Sequence, residues 1–158
     1  MRKNYNRESA VAYAQKFALS HNPAYYHFGG IGGDCTNFIS QCVFAGSGVM
    51  NYNDTYGWYY TSPSFRSPSW TSVEHFQKFL LTNVGVGPFG KLVSKNELEV
   101  GDIIQLKQIN RYNHTLIITK IQGNEIYICA HSTDALNRNL NSYPYKQIAY
   151  IKILGVRV

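Results

Sequence analysis

Gly32-Gly33-Asp34-Cys35-Thr36-Asn37-Phe38-Ile39-Ser40-Gln41-Cys42 sets a thiol into the first turn of a half-apolar helix, just after a glycine-rich turn. A helix start offers unpaired backbone N–H groups and the positive end of the helix dipole, both of which favour a thiolate. Cys35 is therefore the candidate nucleophile, and Asp34 is placed to cap the helix by accepting from N–H groups near Asn37. A nucleophilic thiol needs a base that comes to it through space. Five histidines are available. His21, His27 and His75 lie in a turn or on a packing helix and read as surface or structural residues. His114 opens an apolar strand and His131 ends the next one, so the two can lie side by side, one orienting the ring of the other. Asp134, just beyond His131, is the alternative orienting group, although a loop aspartate is as well explained as a turn former.

A zinc site could draw on Cys35, Cys42, Cys129, His114 and His131. No Cys-x-x-Cys or His-x-x-x-His spacing occurs, so no metal and no cofactor is expected. Cys42 and Cys129 read as small buried apolar residues.

The elements that must position these groups follow from periodicity. Tyr5 to Leu19 reads as an amphipathic helix with Ala10, Val11, Ala14, Phe17 and Ala18 inward and Asn6 or Asn4 as cap; Asn22-Pro23 stops it. The cysteine helix turns Cys35, Phe38, Ile39, Cys42 and Val43 inward, and Gly46 is the expected C-terminal cap. Residues 46–70 have little periodicity but many aromatics, among them Trp58, Tyr59, Tyr60 and Trp70. These could stack on sugar rings or line a cleft, or equally form a small satellite core. A helix is expected from Ser72 to Leu81, capped by Ser69 or Thr71, before Gly85, Gly87, Pro88 and Gly90 break the chain. Strands follow at Gly101–Leu106, His114–Ile121 and Glu125–His131, with Gly123-Asn124 as a turn. Ser132 to Ser142 reads as a polar loop, and Tyr145 to Val158 as one or two closing strands. Helices followed by antiparallel strands predict an α+β fold in one domain over residues 1–158.

Composition narrows the partners. A chain of 158 residues with 44% hydrophobic content can bury a real core. Its charge of +6 favours polyanionic partners, but the basic residues are scattered, which argues against a nucleic-acid patch. Three cysteines leave at least one thiol outside any intramolecular pair. No apolar run of about 18 residues is present, so no membrane span is expected, and a monomer is the expected state. The first residues lack the apolar stretch of a signal peptide. The protein is therefore expected either to be cytoplasmic or phage-encoded, or to be a secreted or wall-associated domain of a longer exported chain.

Tyr26-His27-Phe28-Gly29-Gly30 followed by Asp34-Cys35-Thr36-Asn37-Phe38-Ile39-Ser40 resembles the Tyr-x-Trp-Gly-Gly…Asp-Cys-Ser-Gly-Phe-Val-Ser pattern of NlpC-type papain-like peptidoglycan hydrolases. The whole chain is most similar to the bacterial "putative amidase domain" family, a relative of the NlpC and CHAP groups. The likeness runs from about Asn4 to about Leu140 through Tyr5-Asn6-Arg7-Glu8, Gly57-Trp58-Tyr59-Tyr60, Gly101-Asp102-Ile103-Ile104-Gln105, Asn113-His114 and His131-Ser132-Thr133-Asp134. It implies a papain-like fold with Cys35 as nucleophile, His114 as general base and His131 as third residue. Tyr26 takes the place of a tyrosine near the cysteine that helps hold the carbonyl oxygen. Phe28 departs from the usual Trp and Asn37 from the usual Gly, and the offset third position leaves His131 and Asp134 as alternatives. The implied activity is hydrolysis of an amide in cell-wall peptidoglycan, at the glycan–peptide bond or within the stem peptide. The alternatives are an idle glycan-binding module on the same fold, or a protease or acyltransferase acting on another substrate.

Overall fold

A computed structural model describes residues 1–29 and 33–158; the Gly30-Ile31-Gly32 part of the glycine-rich turn lies outside the described residues. The fold is α+β. Helix α1 (Arg7–Phe17) is capped by Asn6, whose side chain accepts from the Ser9 N–H at 3.0 Å. Helix α2 (Asp34–Ser47) follows, then a long segment containing the short helix α3 (Pro68–Thr71), and then α4 (Val73–Thr82). The cap of α4 is Ser72, accepting from the His75 N–H, rather than Ser69 or Thr71.

The strands of the main sheet are β1 (Arg2–Lys3), β4 (Gly87–Leu92), β5 (Ile103–Lys107), β6 (His114–Gln122), β7 (Glu125–Ala130), β8 (Ala135–Asn139) and β9 (Gln147–Arg157). A separate two-stranded ribbon joins β2 (Tyr60–Ser62) and β3 (Phe65–Arg66). All pairings are antiparallel. The main order is β1-β9-β5-β6-β7-β8, and β9 also pairs with β4 along its second half. The strand alternation splits the core in two. Ile103, Ile117 and Cys129 face a cluster with Phe38, Ile39, Cys42, Trp58 and Trp70, whereas Ile104, Leu106, Leu116, Ile118 and Ile128 face a second cluster with Leu140 and Tyr143.

Four features depart from the sequence reading. Helix α2 is buried nearly all round, not along one stripe. Its polar residues tolerate this because each is paired: Asn37 Nδ2 donates to Tyr26 O, Ser40 Oγ donates to Trp70 O, and Gln41 accepts from the Tyr13 hydroxyl. Its C-cap is Gly48 (φ 72°), not Gly46. Gly46 lies inside the helix against Tyr5, where a Cβ would fall 2.5 Å from the Tyr5 ring. Of the residues expected to break the chain, Gly87, Pro88 and Gly90 instead lie in β4, an edge strand that accommodates proline. Finally, the expected polar loop contains β8; the tail, expected as one or two strands, is a single 11-residue strand.

One ion pair fixes α1 to the sheet. Arg7 Nη1 lies 2.7 Å from Asp102 Oδ1, and Asp102 also accepts from the N–H groups of Glu99 and Ile153. Arg7 donates in turn to the carbonyls of Val100 and Ile153. Removing the acid leaves a part-buried guanidinium facing two carbonyls and, at 3.5 Å, only the exposed Glu99 carboxylate. Asp102→Ala is expected to cost about 3–5 kcal/mol, read as a lowered urea midpoint with an unchanged slope. A loss below about 1 kcal/mol would show that the pair does not anchor α1.

Candidate active site

Cys35 lies in the first turn of α2, after Gly33, which holds the left-handed conformation at φ 90° that glycine adopts without strain. Asp34 is the first helical residue rather than the cap, and its carboxylate makes no bond to the helix backbone. Its Oδ1 accepts from the Phe28 N–H at 2.9 Å and from the Asn37 side-chain amide at 3.1 Å. Its Oδ2 accepts from His131 Nδ1 at 2.7 Å. The other ring nitrogen of His131 donates to Phe17 O at 2.8 Å, and the ring stacks on Phe38 with centroids 3.9 Å apart.

This corrects the expected role of His131. Both its nitrogens face acceptors, so the ring carries two protons and has none of its hydrogen-bonding capacity left for His114. It is a clamp holding the ends of α1 and β7 to the start of α2. Burial opposes charge on His131, but the bonds to Asp34 and Phe17 override it and leave its pKa above the ordinary histidine value. Burial likewise works against the Asp34 carboxylate, yet the His131, Phe28 and Asn37 hydrogen bonds bring its pKa below the ordinary aspartate value. Asp134, the alternative third residue, is exposed, and its carboxylate makes no hydrogen bond among the described residues.

A second link holds the thiol against the sheet: the hydroxyls of Thr36 and Thr115 share a hydrogen bond of 2.9 Å. Gln105 Nε2 donates to Thr115 Oγ1 and to Val73 O, so the network reaches β5 and the start of α4. Cys35 and His114 both line a cleft of about 490 Å³, together with Gly33, Gln108, Asn113, Arg138 and Tyr143. A second cleft of about 250 Å³, bordered by Ser72, Glu74, Arg111 and Tyr112, also reaches Cys35, so the thiol lies where the two meet. No hydrogen bond joins Cys35 to His114. Burial pushes the Cys35 thiol up, with the Thr36 hydroxyl and the N–H groups of Thr115 and Thr36 opposing that rise. Burial, reinforced by the Arg138 charge, pushes His114 down to about 4. At neutral pH the pair is therefore a neutral thiol beside a neutral imidazole. The expectation of a thiolate set up by the helix start alone does not hold, because desolvation outweighs the dipole.

The cleft floor is strained. Ser132 and Thr133, which also line it, have φ of 59° and 64°, a region that residues with side chains seldom occupy. Such strain gathers at functional sites.

Tyr26 is not brought to this cleft. Its ring is 48% exposed and packs edge-on against Phe28. The aromatic loop is corrected as well. Trp58 and Trp70 are fully buried, with their indoles donating to Ser40 and Asn37, and Tyr60 is buried with its hydroxyl accepting from the Tyr26 N–H. With Tyr59 half-buried, none of the four lines a cleft at Cys35. They form the aromatic packing around α2, because large rings gain more from burial than from display. A larger cavity, about 870 Å³, lies elsewhere, beside Tyr52, Tyr56 and Val84, and holds no candidate nucleophile. The sequence reading missed Arg138, which lay in the expected loop, and Tyr143, just beyond it; no periodic signal marks either, since β8 has no regular in–out alternation and ends before Tyr143. Among the described residues, His27, Asp34 and His131 are the one group whose donor atoms come close enough for a metal, within 4.8 Å of one another. The Asp34–His131 hydrogen bond occupies the middle of that group. Cys42 and Cys129 are buried free thiols in the core.

Residues 4–154 match the family described as "putative amidase domain", and the chain belongs to that family. It is 39% identical over 140 residues to the uncharacterized protein YhbB of Bacillus subtilis (strain 168), covering 85% of this chain and 43% of that protein. It is 28% identical over 144 residues to the uncharacterized protein YjcM of the same organism, covering 85% of this chain and 32% of that protein. The chain thus spans less than half the length of either relative. No solved structure matches it.

The Asp34–His131 clamp predicts a pH signature. His131 has a raised pKa, so its contribution to stability is complete below the unfolded value of 6.5 and fades as pH rises through the higher folded value. Asp34 has a lowered pKa, so its contribution is present above 3.8 and lost as pH falls through the lower folded value. The melting-temperature difference between wild type and His131→Asn should therefore peak around pH 5 and narrow toward alkaline pH. A difference independent of pH would refute the charged clamp.

Proposed function

We propose that this chain is a cysteine-dependent amide hydrolase of the papain-like, NlpC- and CHAP-related kind, acting on cell-wall peptidoglycan. Family membership supports the amide-hydrolase class. The observation that carries the cysteine reading is the meeting of two clefts at Cys35, one of them shared with His114. Peptidoglycan as substrate rests on the resemblance of the cysteine block and on the net charge of +6, which suits an anionic wall.

In this reading, substrate binding brings His114 within hydrogen-bond reach of Cys35. Neutral His114 takes the Sγ proton, and the thiolate attacks the amide carbon. The resulting oxyanion accepts from the Cys35 N–H at the open start of α2. His114 then gives its proton to the leaving amine as the C–N bond breaks, and water hydrolyses the thioester to release the acid. Asp34 and His131 are positioning residues here: they hold α2 without touching the reacting atoms. The helices, the antiparallel sheet and a nucleophile at a helix start support the papain-like comparison. Export and wall association belong to the same proposal.

The test is digestion of purified cell wall, with mass analysis of the released fragments. Wild type should release amine-terminated or lactyl-terminated fragments, and Cys35→Ala and His114→Gln should each lower the rate by about a thousandfold or more. Equal release by wild type and Cys35→Ala would overturn the reading, whereas binding of wall without any release would favour the binding module. Because the base must be neutral, the rate should fall off only below about pH 4. An acid limb near pH 6.5 would instead point to an ordinary exposed histidine.

A further inference from the structure

The Tyr143 hydroxyl is the one buried side-chain nitrogen or oxygen without a hydrogen-bond partner among the described residues. Tyr143 is only 8% exposed, yet it lines the cleft that holds Cys35 and His114, and its ring lies 5.8 Å from the His114 ring. A buried orphan donor is destabilising unless something else satisfies it. Beside it stands Arg138, whose guanidinium carbon lies 3.9 Å from the Tyr143 ring centre. Arg138 Nε and Nη2 donate to Ser142, while Nη1 makes no hydrogen bond, and no carboxylate lies within ion-pair distance of the guanidinium among the described residues. Ser142 thus holds the guanidinium in place without neutralising it. Burial raises the Tyr143 pKa and the facing Arg138 guanidinium opposes that rise, yet the phenol O–H has no acceptor among the described residues, so the cleft wall offers a fixed positive charge, a free N–H pair and a phenol with its donor to spare.

We propose that Arg138 and Tyr143 form a carboxylate-binding subsite beside Cys35, selecting amides in which a residue next to the scissile bond carries a free carboxylate. The proposal rests on the reading of this cleft as the active site. A carboxylate is the indicated ligand because Arg138 has already used one edge on Ser142, so Nη1 and the phenol supply a small set of donors suited to one planar anion. The strand register agrees with this geometry. Ile128 pairs with Arg138 across β7 and β8, and Ile128, Leu116 and Tyr143 share one core cluster, so Arg138 emerges at the margin of that cluster next to His114. A bound carboxylate would also offset the charge that helps hold His114 deprotonated.

The experiment compares two ligands that differ only in carboxylate against carboxamide: N-acetyl-alanyl-glutamic acid α-amide and N-acetyl-alanyl-glutamine α-amide. Calorimetric titration is done on Cys35→Ala, so that binding is measured without turnover. The acid should bind about ten- to a hundredfold more tightly than the amide, as charge-assisted hydrogen bonds allow. Adding Arg138→Gln should abolish the preference, and adding Tyr143→Phe should reduce it several-fold. Tyr143→Phe alone should melt at or above the wild-type temperature, because it removes an orphan hydroxyl; a merely structural tyrosine would lower it. Should Arg138→Gln fail to fold, Tyr143→Phe decides alone. Equal affinity for the two ligands, binding of neither, a preference that survives Arg138→Gln, or one that Tyr143→Phe leaves undiminished overturns the subsite. Acid-selective binding with no cleavage by the wild-type enzyme would keep the subsite and sink the hydrolase reading instead.

Discussion

The hydrogen bond between Asp34 and His131 is the contact on which the arrangement of this site depends. It joins residues 97 positions apart, and both partners are almost wholly buried. Through Phe17 O it also reaches the end of α1, so three segments meet at one imidazole. Because Cys35 follows Asp34 directly, whatever fixes the carboxylate fixes the direction of the thiol. A negative charge in the first turn of α2 also lies at the favourable end of the helix dipole, which offsets part of its desolvation. The Arg7–Asp102 pair plays the same part for α1, tying that helix to the strand next to β6. These two ion pairs, one buried and one part-buried, set the helices against the sheet, while apolar packing fills the space between.

That arrangement explains why the chemistry divides among residues differently than the motif suggests. In Asp34-Cys35-Thr36-Asn37-Phe38-Ile39-Ser40-Gln41 the polar side chains other than Cys35 are consumed by structural bonds. Thr36 binds Thr115, Asn37 and Ser40 receive the indoles of Trp70 and Trp58, and Gln41 receives Tyr13. A motif this polar looks catalytic because buried polar groups must be specified individually, whatever purpose they serve. Only the thiol in that run is left facing the clefts.

Much of the fold was legible because the signals were periodic. The Asn6 cap, the apolar spacing of α1 and α4, and the apolar runs of β5, β6 and β7 all map onto observed elements. Legibility failed where tertiary context outweighs local preference. Gly46 looks like a helix end but is there to let Tyr5 approach, and Gly90 lets the backbone of Lys152 approach within a sheet. Strand β8 carries Asn137, Arg138 and Asn139, and so reads as loop, because it is an edge strand whose polar residues face solvent or the cleft. Candidate site residues were legible where a local rule applied: Cys35 by its helix start, His114 by its strand start. His131 was found by position but misjudged in role, since no spacing reveals that both its nitrogens are already engaged.

The balance of charge in the cleft follows from burial more than from any single neighbour. A helix start would favour thiolate, but with Cys35 and His114 both nearly closed off from water the neutral forms win on both partners. That state leaves Cys35 without its nucleophilic anion at rest and leaves His114 unprotonated, with a nitrogen open to the Sγ proton. Under the proposed mechanism, a substrate entering the cleft excludes more water and brings its own dipoles to the helix start, so the charge separation arises with substrate in place. Under the same proposal, discrimination comes from fixed groups on the cleft wall, and among the described residues Arg138, held by Ser142 but not neutralised, is a cation standing there beside His114.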